Sequence, residues 1–90
     1  MTKKRGRLDV IRDILQVIKQ NRKIKPTRLL YASNLSPQMF KDYVDELIKK
    51  GFIKVELEEE NKKYFSLTAR GNNFVNEYKV IENFIENFGL

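Results

Sequence analysis

Apolar residues Leu8, Ile11, Ile14, Leu15 and Ile18 recur every three or four positions, a spacing that lines one face of a helix and predicts one over residues 8–20. The polar residues 21–25 end at Pro26, which the first turn of a helix accepts because the missing N–H would have no partner there. A short second helix is expected over residues 26–32, with Leu29 and Leu30 as its few inward positions. Ser36 and Pro37, a capping hydroxyl followed by proline, open a third helix that runs to about residue 50. Phe40, Tyr43, Val44, Leu47 and Ile48 form its inward face; Gln38, Lys41, Asp42, Asp45 and Lys49 point away, and Gly51 supplies a left-handed stop. Residues 52–57 and 63–67 alternate apolar and polar positions around a polar stretch, the pattern of a β-hairpin. That stretch lacks Asn-Gly or Asp-Gly, so a loop longer than two residues is expected. Thr68 can cap a last helix, in which Phe74, Tyr78, Ile81, Ile85 and Phe88 recur at coiled-coil spacing, widened by Val75 and Phe84.

Helix, short helix, helix, hairpin, helix is the order of a winged helix-turn-helix, an α+β, mainly α architecture in which the third helix reads DNA and the hairpin is the wing. The junction of residues 47–53, LIKKGFI, fits this order, because a reading helix must stop sharply and feed the first wing strand. The expected organisation is a basic flexible arm over residues 1–7, the winged domain over residues 8–67 and a C-terminal dimerisation helix over residues 68–90.

Composition narrows the chemistry. Ninety residues with 41% hydrophobic content suffice for one core. The chain has no cysteine and no histidine, which removes thiolate zinc sites, disulfides and the usual nucleophile and general base. Catalysis, a cofactor and a bound metal are therefore not expected. The basic N-terminus is followed by an apolar stretch interrupted at Asp9, Arg12 and Asp13, unlike an export signal, and no window approaches the roughly 20 apolar residues of a membrane span. A cytoplasmic, nucleoid-associated protein is the expectation. Net charge is +6, and its distribution is lopsided: residues 1–28 hold ten Lys or Arg against two Asp, whereas residues 29–90 hold eight against ten acids. A basic field at one end suits a polyanion, of which nucleic acid is the commonest.

Residues 25–36, KPTRLLYASNLS, resemble the second-helix segment of small archaeal winged-helix regulators and chromatin proteins. Residues 47–53 and residues 64–71, YFSLTARG, resemble the start of the same family's wing and of its last helix. The resemblance implies DNA binding as a homodimer, and an archaeon or archaeal virus as source. Chromatin-type members pair through a long C-terminal helix in an antiparallel coiled coil, and only residues 68–90 are left for that here.

Candidate contacts to double-stranded DNA follow from position. Thr27 and Arg28 open the second helix, where free N–H groups and the helix dipole favour a phosphate. Ser36, Gln38 and Lys41 lie at the groove-facing start of the third helix, with Gln38 suited to adenine and Lys41 to guanine. Asp42 and Asp45 beside them make that face near neutral. Lys3, Lys4, Arg5 and Arg7 form the arm, which can follow the backbone or enter a minor groove. At the wing, Lys62 and Lys63 are donors, but Glu56, Glu58, Glu59 and Glu60 oppose a phosphate contact.

Phe74, Tyr78, Ile81, Phe84, Ile85 and Phe88 are too apolar a stripe to leave in water. A second copy would cover it and hold two reading helices at fixed separation; the alternative is that it folds back on the first helix within one chain. The competing function is a winged-helix module that docks another protein. A basic stripe joining Arg28, Lys41 and the arm favours DNA, and a patch neutralised by Asp42 and Asp45 favours protein.

Overall fold

The computed structural model describes residues 5–89. The chain runs α1 (Arg7–Asn21), β1 (Lys23–Ile24), α2 (Pro26–Ser33), α3 (Pro37–Lys49), β2 (Ile53–Glu58), β3 (Lys62–Leu67) and α4 (Ala69–Asn87). The expected helices and hairpin are present within a residue or two of their predicted bounds, except that α4 ends at Asn87 rather than at residue 90. The unforeseen element is β1, two residues long, which pairs antiparallel with β3 through Lys23↔Ser66 and Ile24↔Phe65. The wing is thus part of a three-stranded sheet of order β1-β3-β2 rather than a lone hairpin. A single apolar residue, Ile24, between lysines carries no strand periodicity, and only its pairing with β3 makes it a strand.

α1 is the centre of the core: Val10, Ile11, Ile14, Leu15 and Ile18 are buried, the last three completely. Around them close Leu29 from α2, Val44 and Leu47 from α3, Ile24, Ile53 and Phe65 from the sheet, and Val75 from α4. Complete burial of each such side chain contributes about 1.5–3 kcal/mol, so α1 is the element on which the others converge. Leu8, expected on this face, is 59% exposed, and Val10 takes the inward place. Leu8 lies in the first turn, beyond the core, where it lines an open apolar groove with Phe74, Tyr78, Ile81 and Ile85 of α4.

The helix ends follow from local chemistry. The Ser36 hydroxyl accepts from the Met39 N–H at 3.3 Å, and the Thr68 hydroxyl from the Gly71 N–H at 3.1 Å, as capping predicts. α3 stops in a paired closure, Phe52 N–H to Leu47 C=O at 2.8 Å and Gly51 N–H to Ile48 C=O at 3.0 Å. Gly51 supplies the φ of +80° that this closure needs. The hairpin register ends at Glu58↔Lys62, leaving a three-residue loop, Glu59–Asn61, in which Glu60 and Asn61 both take positive φ. Thr68 ties the start of α4 to the end of α3: its hydroxyl donates to the Gly51 carbonyl at 2.6 Å.

α4 divides into two halves. Val75 is buried, Phe74 meets Phe52 edge-on at 5.8 Å, and the Tyr78 hydroxyl donates to an Asp9 carboxylate oxygen at 2.6 Å, holding the phenol above its ordinary pKa. Arg12 adds an ion pair to Glu82 at 2.5 Å while lying over the Tyr78 ring. Past that point Val80, Ile81, Phe84, Ile85 and Phe88 are exposed. The stripe therefore divides: Phe74 and Tyr78 fold back on the chain's own domain, as one of the two alternatives had it, and the last two turns stay exposed.

Candidate nucleic-acid interface

Tertiary structure separates the basic residues into those that are engaged and those that are free. Arg5 donates to Asp13 at 3.0 Å and to the carbonyls of Ser33 and Asn34 at 3.2 and 3.4 Å, clasping the α2–α3 turn. Arg7 is the first residue of α1; it pairs with Glu46 and lies 5.8 Å from the Tyr43 ring centre. These two residues were expected in a flexible arm; instead Arg5 ties α1 to the α2–α3 turn and Arg7 docks α1 onto α3, because carboxylates, carbonyls and an aromatic face lie within their reach. Lys3 and Lys4, the rest of that arm, lie outside the described residues.

Thr27 and Arg28 are exposed in the first turn of α2, and Arg28 has no ion-pair partner among the described residues. Arg22 and Lys25 share that condition, so three unpaired cations lie within seven residues at the start of α2. The sequence reading singled out Arg28 and missed the other two. Arg22 is held at the C-terminal cap of α1 with φ +63°, a conformation that turns the chain toward β1. Tyr31 is also missed: a tyrosine in a short helix reads as a core residue, yet this one is 83% exposed. Thr27, Arg28 and Tyr31 share the outward face of α2 at spacings of three and four.

On α3 the candidate reading residues are occupied. The Ser36 hydroxyl is used in the cap. The Gln38 amide donates to Asp42 at 3.0 Å, and the Lys41 ammonium to Asp45 at 2.8 Å. The hydrogen bond from Lys41 to Asp45 holds that ammonium above the usual lysine range. Glu46 accepts from Lys50 and Arg7, and these cations keep its carboxyl below the usual range. The outward face of α3 is consequently charge-matched, as its mixed composition suggests.

At the wing, Lys62 lies 3.9 Å from Glu60, while Lys63 is exposed and lies 5.4 Å from the Phe65 ring centre. Lys23 pairs with Glu58 across the sheet, which removes part of the acidic repulsion noted for the hairpin. Among the described residues no group of three or more His, Cys, Asp or Glu is arranged to hold a metal ion, and no helix is long and apolar enough to cross a membrane.

Similar proteins have this architecture. An uncharacterised protein of Methanocaldococcus jannaschii is 46% identical over 68 residues, which is 76% of this chain and 64% of that protein, so the chain spans less than two thirds of its relative's length. Among solved structures, Sso10a-2, a DNA-binding protein from Sulfolobus solfataricus, superposes with a TM-score of 0.75 at 24% identity, covering 93% of this chain and 85% of its own. MepR, a transcription regulator of the Staphylococcus aureus multidrug efflux pump MepA, superposes with a TM-score of 0.79 at 16% identity over 89% of this chain and 61% of its own. At these identities the two structures speak for the fold alone. The winged helix-turn-helix family profile matches residues 4–86, nearly the whole chain, and the protein belongs to that family.

Proposed function

We propose that this protein binds duplex DNA as a homodimer and acts as a transcription regulator or chromatin-type protein inside the cell, with no catalytic step. The observation that carries this reading is the group of exposed cations Arg22, Lys25 and Arg28 at the start of α2, none with an ion-pair partner among the described residues. Free N–H groups at a helix start and cations with no internal partner together make a phosphate grip, and Tyr31 adds a neutral donor on the same face. α3 then enters the major groove, with Gln38 and Lys41 exchanging Asp42 and Asp45 for base edges. Lys3, Lys4, Lys62 and Lys63 supply outer phosphate contacts, while Arg5 and Arg7 stay engaged within the domain. In organisation, residues 8–67 are the DNA-binding unit and residues 68–90 the dimerisation helix, whose exposed Ile81, Phe84, Ile85 and Phe88 meet a second copy.

Titration of random-sequence duplex DNA against salt tests the reading. Neutralising about six phosphates gives a slope of log K against log salt near −5, and Arg28→Ala makes it shallower by about 0.9. Binding that ignores salt, or a slope unchanged in Arg28→Ala, refutes the phosphate grip. One observation favours a second reading, docking of a protein: the charge-matched face of α3, Gln38 with Asp42 and Lys41 with Asp45. That reading predicts no duplex binding even at low salt.

A further inference from the structure

One side chain at the start of α3 has no role in the contacts described so far. Met39, the third residue of the helix, is 47% exposed, whereas Phe40, Tyr43, Val44, Leu47 and Ile48 all lie in the core or against it. Its polar neighbours are committed: the Ser36 hydroxyl to the Met39 N–H, the Gln38 amide to Asp42 and the Lys41 ammonium to Asp45. Exposing an apolar side chain of this size forfeits burial free energy, and the flexible thioether of methionine adapts to irregular partner surfaces. On the base edges of the major groove the apolar group is the thymine C5 methyl.

We infer that Met39 is a specificity-determining residue that recognises thymine by packing on its C5 methyl, an inference that rests on the DNA-binding reading above. Such a contact itself needs no hydrogen bond to be broken, unlike the base contacts of Gln38 and Lys41, which require those side chains to leave Asp42 and Asp45. The preference it confers is for A·T-containing sites.

The test uses the full chain and two duplexes of equal length, one of alternating A and T and one with deoxyuridine in place of every thymidine, which removes only the methyl groups. Wild type is expected to bind the thymine duplex about fourfold more tightly per engaged base, the value of burying one methyl-sized group. Met39→Ala is expected to bind both duplexes equally, at the wild-type affinity for the uracil duplex, and Met39→Leu to keep the preference. Because Met39 is half exposed, the melting temperature of each variant should stay at the wild-type value. Equal binding of both duplexes by wild type, or a preference that survives in Met39→Ala, overturns the assignment while DNA binding itself stands. Failure of wild type to bind either duplex at low salt overturns the DNA reading and this inference with it.

Discussion

On α3 a spacing of four residues places two outward donors beside carboxylates, Gln38 beside Asp42 and Lys41 beside Asp45. Exposed pairs of this kind contribute only a few tenths of a kcal/mol, so their effect is on the charge that the helix presents, not on stability. Asp45→Asn removes a negative charge and releases Lys41. The expected result is tighter duplex binding, with a salt slope steeper by about 0.9 if the freed ammonium reaches a phosphate. An unchanged slope in a salt titration would mean that Lys41 is not near the backbone. This pairing was legible in the sequence because residues four apart on a helix meet wherever the helix lies. The exposure of Tyr31 and the docking of Arg5 and Arg7 were not, since each depends on what another element places nearby: open solvent for Tyr31, Asp13 and the α2–α3 turn for Arg5, and Glu46 for Arg7.

One close approach between elements involves Gly71 in the first turn of α4. A Cβ built at that position would lie 2.2 Å from the Phe52 carbonyl oxygen, so hydrogen is the largest substituent that this approach admits. Gly71→Ala forces α4 away from the α3–β2 junction, where Thr68 also bonds to the Gly51 carbonyl. Overpacking of this sort costs about 1–3 kcal/mol, which a thermal melt would register as a fall of several degrees in Tm. A Tm unchanged in Gly71→Ala would show that the contact relaxes freely. Gly51 and Gly71 differ in how they could be read. The stop at Gly51 is local, and the flanking apolar pairs announce it. The need for glycine at 71 comes from a carbonyl nineteen positions earlier and has no local signature. The same distinction explains β1, which exists because Ile24 sits opposite Phe65, far along the chain.

In the whole molecule the exposed apolar side chains of α4 and Leu8 gather at one end, where Leu8, Ile81 and Ile85 line the groove over Phe74 and Tyr78, and Phe84 and Phe88 stack 4.7 Å apart. If a second copy covers this end, Phe84→Glu should give a monomeric mass by light scattering. Duplex affinity should then fall about a hundredfold or more, as the second half-site no longer binds in the same event. The domain's Tm should scarcely move, because Phe84 contributes nothing to its core; a dimeric mass in this variant would exclude the α4 stripe as the interface. The order of the helices and of the hairpin, the caps at Ser36 and Thr68 and the family were all determined by the sequence, because periodicity, capping and turn chemistry act over a few neighbouring residues. Which cations remain free for a partner, how α4 divides between its own core and the surface, and why residue 71 is glycine were decided only by tertiary structure. Those properties are set by burial and pairing between residues that the chain brings together from a distance.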